Sequence, residues 1–182
     1  SLYRVAVVRA LEIALLAAWW RLRGLGFSAF GFDSSGAPKG IAVGLLLSAV
    51  LGGFAFSAEA FWRWMGWGSF LRLVSGPRVE AYGALVLAAV IVGPLFEELV
   101  FRGLAYGALR RRWGVLPSLA VATAAFAAAH LPGGRVPWIQ ALGWIVFCLG
   151  LEVTGSLWAP VVVHALGNLV LFSLPYFAGR YF

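Results

Sequence analysis

Six apolar stretches, each close to the length of a membrane-spanning helix, occupy most of the chain. They run about 2–20, 40–61, 81–101, 115–130, 137–153 and 157–177. About 20 apolar residues cross a hydrocarbon layer roughly 30 Å thick. A backbone in lipid must satisfy its own hydrogen bonds, which selects helices over isolated strands. The sequence therefore predicts an all-α fold, a polytopic membrane helix bundle with about six transmembrane helices.

The composition points to lipid as the solvent. Hydrophobic residues make up 62% of the chain and charged residues 12%, whereas a soluble domain has roughly 45–50% and about 25%. The net charge of +7 predicts cations at the membrane–water boundaries. No basic stretch is interleaved with polar residues, so we expect no nucleic-acid partner. Abundant Ala, Gly and Arg are typical of a high-GC bacterium, and we expect a bacterial inner (plasma) membrane.

The chain divides at the third apolar stretch. Residues 1–80 are expected to form N-terminal membrane helices and an interfacial segment, and residues 81–182 a second helix bundle. Trp and Arg alternate over residues 62–72, which predicts an interfacial helix or loop with indole rings at headgroup depth. The single cysteine, Cys148, lies in an apolar run and is expected to be a small buried side chain.

Two adjacent carboxylates, Glu97 and Glu98, lie inside the third apolar stretch. An ionised carboxylate at membrane depth costs at least about 2.5–3.5 kcal/mol, so the pair requires a reason. Arg102 follows Glu98 by four residues, which favours an intrahelical ion pair. Glu97 projects about 100° away and lacks that partner, so its carboxylate is available to another molecule. Pro94 is expected to kink the helix beside it.

Both histidines of the chain also lie in apolar runs. His130 ends the fourth stretch, immediately before a Pro-Gly-Gly turn. His164 and Asn168 are four residues apart in the sixth, hence on one helical face, and both donate hydrogen bonds. A carboxylate with a histidine deprotonates water, and a His/Asn pair stabilises the oxyanion that forms at an attacked carbonyl. These residue types predict a hydrolytic site.

Other uses of the same residues remain open. Two carboxylates and two imidazoles are also a ligand set for zinc, although a His-Glu-x-x-His motif is absent. A non-catalytic membrane protein, such as an immunity factor or scaffold, is a second alternative. Proton-coupled transport is weaker, because the chain has no repeated halves. A serine hydrolase is disfavoured, because Gly-x-Ser-x-Gly is missing.

Three motifs in order resemble the CPBP family of intramembrane proteases. They are Glu97-Glu98-x-x-x-Arg102, Phe126-x-x-x-His130 and His164-x-x-x-Asn168. The resemblance covers about residues 81–173, and the family includes Rce1-type CaaX prenyl endopeptidases and bacterial Abi-type proteins. It implies an intramembrane glutamic endopeptidase that acts without a metal or cofactor.

The resemblance also implies a role for each residue. Glu97 would be the base that activates water with His130. The oxyanion hole would consist of His164 and Asn168, and Glu98 with Arg102 would support the site. The substrate would be a membrane-associated protein or peptide, cut near its C-terminus and carrying a prenyl group or a sorting signal. The lipid bilayer would be the other partner.

Overall fold

The described part of the chain is helical throughout. A computed structural model describes residues 2–69, 82–129 and 138–178. Within these ranges it contains six helices and no strand: α1 (Leu2–Leu22), α2 (Ala37–Trp64), α3 (Tyr82–Trp113), α4 (Val115–Ala129), α5 (Trp138–Thr154) and α6 (Trp158–Ala178), with a 3-10 turn at Phe27–Phe30. The predicted all-α fold is confirmed. The helices α2 to α6 follow the predicted stretches closely, except that α3 continues about three turns past residue 101.

The outer faces of the helices are apolar, as a lipid-embedded bundle requires. Among the described helices, α2 and α3 are long and apolar enough to cross a membrane, with 28 and 32 residues, and α4, α5 and α6 contain shorter apolar segments. Large side chains such as Leu46, Phe54 and Phe56 point away from the protein. An apolar exterior of this extent is unfavourable in water, so the helical membrane bundle agrees with the prediction.

Helix α2 packs closely on α6 through two glycines. A Cβ atom on Gly44 would lie 2.8 Å from the carbonyl oxygen of Ala159 and from Cβ of Val162. A Cβ on Gly40 would lie 2.9 Å from Cβ of Trp158, the first residue of α6. Small residues let helix backbones approach in lipid, where packing replaces the hydrophobic effect as the driving force.

Replacing Gly44 with alanine is expected to destabilise the protein by about 1–3 kcal/mol, because the added methyl group forces the backbone at Ala159 to move. The midpoint of thermal unfolding in detergent micelles measures the loss. Gly52→Ala on the same helix is the matched control, since a Cβ there meets no described atom within 4 Å. Equal midpoints for the two variants would contradict the close approach of α2 and α6.

Helix α1 packs along α3. Trp20 is buried with Leu99 and stacks on Phe30, with ring centroids 3.6 Å apart. Nearer its N-terminus, Arg9 pairs with Glu12 at 2.7 Å. The guanidinium of Arg9 also lies 4.5 Å from the ring centre of Phe96. The N-terminal helix therefore contacts the helix that carries Glu97 and Glu98, and the expected division at residues 80/81 lies outside the described residues.

A polar cross-link joins α3 to α5 near the end of each helix. Arg110 donates two hydrogen bonds to Glu152, at 2.7 and 2.8 Å. Tyr106 donates a third, at 2.9 Å, to the same carboxylate. This bidentate geometry is the strong form of a carboxylate–guanidinium contact. Glu152 thus ties two helices together, and Cys148, one turn earlier in α5, is buried as expected.

The aromatic segment after α2 is described only in part. The chain turns at Gly66, which has a φ of +75°, and Trp67 folds back on Trp62 with ring centroids 4.8 Å apart. Residues 70–72 lie outside the described residues. An interfacial location for this segment stays a prediction.

Candidate active site

Helix α3 departs from regular α-helical geometry on both sides of the adjacent carboxylates. It has π-helical hydrogen bonding over Val86–Val92 and over Glu98–Tyr106, with an α-helical turn, Gly93–Glu97, between them. The sequence predicts regular α-helical turns through this segment, and the π-helical turns differ from that prediction. Such wide turns are rare and are frequently found at functional sites. They change the direction in which each side chain leaves the helix.

Glu98 is the centre of a buried ionic cluster. A single oxygen, Oε1, is 2.9 Å from Nη1 of Arg102 and 2.7 Å from Nδ1 of His164. The side chains of Glu98 and Arg102 are both 0% exposed. A carboxylate removed from water to this degree requires a charged partner. The i,i+4 pair expected from the sequence is therefore present, and it holds a histidine from α6 as well.

Aromatic rings enclose the guanidinium of Arg102. Its Cζ atom lies 3.5 Å from the ring centre of Trp144, 5.0 Å from that of Phe147 and 5.1 Å from that of Phe126. Within the described residues, Nε and Nη2 of Arg102 have no hydrogen-bond acceptor. Ring faces attract a desolvated cation by about 2 kcal/mol or more. The enclosure stabilises the charge and keeps water away from the ion pair.

Glu97 has a different environment from its neighbour. Its side chain is 28% exposed, and Oε2 lies 3.9 Å from Nε2 of His164. That distance is too long for a hydrogen bond. The Glu97 carboxylate is thus close to an imidazole nitrogen but not engaged by it. A water molecule or a substrate group has access to this carboxylate, whereas Glu98 is fully enclosed.

The contacts of His164 define its tautomer. Because Nδ1 is 2.7 Å from a carboxylate oxygen, we assign the proton to Nδ1, which donates it to Glu98. The other ring nitrogen, Nε2, is then directed toward Glu97. The ring also stacks on Phe147, with centroids 4.9 Å apart and planes 21° apart. Two contacts therefore fix the orientation of the imidazole.

Asn168 contacts the backbone of α3. Its Nδ2 atom donates a hydrogen bond to the carbonyl oxygen of Ala89 at 2.7 Å. A side-chain amide carries two N–H groups, and this bond uses one of them. His164 and Asn168 thus lie on one face of α6, as expected, and both face α3. Farther along the same helix pair, Tyr82 Oη and Ser173 Oγ are 2.7 Å apart.

Five of the six predicted site residues are brought together between α3 and α6. Glu97, Glu98 and Arg102 come from α3, and His164 and Asn168 come from α6. The sixth, His130, lies outside the described residues. In the part of the chain that the structure describes, no group of three or more His, Cys, Asp or Glu side chains is arranged to hold a metal ion.

Three groups that contact the site residues are not identifiable from the sequence. Trp144 and Phe147 enclose Arg102, and the carbonyl of Ala89 binds Asn168. Nothing in the sequence distinguishes these two aromatic residues from the others in apolar segments. The sequence does not single out the carbonyl of Ala89 either, because Pro94 withholds the donor for Val90 in a regular α-helix and for Ala89 only in a π-helical turn.

Comparison with known proteins gives two matches. The model of a family described as "Type II CAAX prenyl endopeptidase Rce1-like" matches residues 80–170. The Bacillus subtilis (strain 168) protein named "Putative membrane peptidase YdiL" is 24% identical over 90 residues, which cover 50% of this chain and 36% of that protein. The chain thus matches about a third of the length of this relative. No solved structure matches the chain significantly.

Proposed function

The chain belongs to the Rce1-like family of type II CAAX prenyl endopeptidases, whose model matches half of it, and we propose that it is an intramembrane glutamic endopeptidase. The observation that carries this proposal is the contrast between the two carboxylates. Glu98 is fully enclosed by Arg102 and His164, whereas Glu97 is partly exposed beside Nε2 of His164. Of these two carboxylates, Glu97 has the access that proton exchange with a bound water requires, which supports its assignment as the base.

In the proposed reaction, Glu97 acts as the general base. Its carboxylate takes a proton from a water molecule while the water oxygen attacks the carbonyl carbon of the scissile peptide bond. The carbonyl π electrons move to oxygen and form an oxyanion. When this intermediate collapses, the C–N bond breaks, and the proton held by Glu97 passes to the leaving amine. The carboxylate of Glu97 is restored for the next cycle.

We assign stabilisation of the oxyanion to His164 and Asn168. Because Nδ1 of His164 donates to Glu98, Nε2 carries a proton only in the imidazolium form. Donation from Nε2 to the oxyanion therefore requires His164 to be charged, and the Glu98 carboxylate stabilises that charge. The N–H of Asn168 that Ala89 leaves unused is the second donor. Preorganised donors of this kind are worth about 10²–10³ in kcat each.

His130 is proposed to hold the attacking water together with Glu97. This role rests on its place in the Phe126-x-x-x-His130 motif, since the residue lies outside the described ranges. Phe126, one turn earlier, lies on the guanidinium of Arg102. The last described turns of α4 thus lie beside the cluster that holds His164.

The proposed substrate is a membrane-associated protein or peptide, cut near its C-terminus, with a prenyl group or a sorting signal. We also propose that the protein itself lies in a bacterial inner membrane. The proposed substrate class is supported by the location of the site between two apolar helices, because a lipid-anchored segment reaches such a site more readily than a soluble protein does. The name of the family supports the same class of substrate.

Comparison of membrane proteomes tests the function in the source organism. A deletion strain and a strain carrying Glu97→Gln are both expected to accumulate the same uncleaved precursor. Glu12→Gln is the matched control, because Glu12 pairs with Arg9 on α1 and is 38% exposed. That strain is expected to process the precursor normally. Normal processing in the Glu97→Gln strain would exclude catalysis by Glu97.

A further inference from the structure

Asn168 binds a backbone carbonyl that α3 itself leaves without a donor. The N–H of Gly93 donates to the carbonyl of Ala88, five residues earlier. In the same register the next carbonyl, that of Ala89, faces residue 94. Residue 94 is proline and has no N–H. The Nδ2 atom of Asn168 donates to this carbonyl at 2.7 Å. A carbonyl without a donor would be costly in lipid, where no water can replace the missing hydrogen bond.

Gly93 and Pro94 together create this acceptor. A Cβ atom on Gly93 would lie 2.5 Å from the carbonyl oxygen of Ala88, so a larger residue would force the wide turn apart. Pro94 then withholds the next backbone donor. The glycine permits the π-helical turn, and the proline leaves the carbonyl at its end open to a side chain from α6.

The bond to Ala89 restrains the rest of the Asn168 amide. Because the group is planar, engaging one N–H in a fixed direction also directs the other. His164, one turn earlier on α6, is fixed to the same helix through Glu98. Both donors of the proposed oxyanion hole are thus positioned relative to α3, the helix that carries Glu97.

We infer that Pro94 is a positioning residue, which leaves the carbonyl of Ala89 unpaired so that Asn168 is anchored there and its second N–H is held toward the site. This inference rests on the proposed function and deepens it. Its structural part, the dependence of the Asn168 anchor on Pro94, does not require that the protein be a peptidase. The two parts are therefore tested by separate measurements.

A double-mutant cycle in stability tests the anchor without any substrate. Full-length protein is purified as wild type, Asn168→Ala, Pro94→Ala and the double variant, and the midpoint of thermal unfolding is measured in one detergent. In the wild-type background, Asn168→Ala is expected to lower the midpoint by about 3–6 °C. With alanine at 94, the new N–H pairs with Ala89, and the loss is expected to fall below half of that value.

Two outcomes of the cycle would overturn the anchor. One is an unchanged midpoint for Asn168→Ala, and the other is an equal loss in both backgrounds. If Asn168→Ala folds only when residue 94 is alanine, that rescue supports the inference. If it folds in neither background, Asn168→Ser repeats the cycle with a smaller change, and the same coupling is expected.

Kinetics test whether Pro94 positions the oxyanion donor. Pro94→Ala is expected to lower kcat about 10-fold, with KM unchanged, because a displaced donor weakens transition-state binding more than substrate binding. Pro117→Ala is the matched control, since Pro117 is exposed in the first turn of α4, and its kcat is expected to equal that of wild type. An unchanged kcat in Pro94→Ala would overturn the positioning role, even with the stability coupling intact.

Discussion

Glu97→Gln is expected to lower kcat by about 10²–10⁴-fold, the usual contribution of a general base. Glutamine has the same shape, but its amide cannot accept the proton of the attacking water. The Glu97 side chain is 28% exposed and lies 3.9 Å from Nε2 of His164, which pairs with Glu98 instead, so loss of the Glu97 charge leaves no buried charge unpaired. The midpoint of thermal unfolding should therefore stay close to that of wild type. Rates of cleavage of the precursor or its C-terminal peptide measure the effect.

Glu98→Gln is the informative control for this substitution, because it makes the same replacement of a carboxylate by an amide at the adjacent residue. It removes the charge that holds Arg102 and His164, so we expect a loss of stability together with a loss of kcat. Dialysis of the wild type against a chelator is expected to leave kcat unchanged. Activity that disappears on chelation and returns with zinc would contradict a glutamic mechanism, as would activity retained by Glu97→Gln.

Arg102→Met is expected to cost about 3–5 kcal/mol of unfolding free energy, because it leaves the carboxylate of Glu98 buried without its ion-pair partner. Both side chains are inaccessible to solvent, so water cannot replace the guanidinium. Methionine retains the apolar contact with Trp144, which separates the loss of charge from the loss of packing. Unfolding of the purified protein in mixed micelles, followed against denaturant concentration, measures the change.

The double variant Glu98→Gln/Arg102→Met is the matched control for this loss. It removes both charges and keeps an oxygen that accepts the proton on Nδ1 of His164. Removing both members of a buried ion pair costs far less than removing one, so most of the lost stability should return. Activity should stay low, because the imidazolium of His164 has lost its stabilising carboxylate. A double variant as unstable as Arg102→Met would contradict the charge argument.

Much of the fold could be predicted, because the apolar stretches have the length that a membrane imposes. The pairing of Glu98 with Arg102 followed from their spacing alone, and it survives even though that part of α3 is π-helical. The different direction of Glu97 followed for the same reason. Local geometry along one helix was thus sufficient for half of the candidate site.

The contacts between helices could not be predicted in the same way. His164 meets Glu98 across 66 residues of sequence, and no local rule fixes which nitrogen makes the contact. Trp144 and Phe147 lie on Arg102 because of how α5 packs against α3, which depends on shape rather than on pattern. The hydrogen bond from Asn168 to Ala89 required knowledge of the π-helical register.

The contact of Arg102 and His164 with one oxygen of Glu98 has a consequence for the charge of the proposed centre. If His164 is protonated, as the proposed reaction requires, Arg102 and His164 balance Glu97 and Glu98, and the charges of these four described residues sum to zero. In the proposed reaction, Glu97 takes a proton from water, the negative charge passes to the oxyanion, and the sum for these groups remains zero. A centre that stays neutral through its cycle avoids most of the cost of isolated charge in a low-dielectric medium. Chemistry that needs four ionised groups is in this way compatible with a surrounding of hydrocarbon.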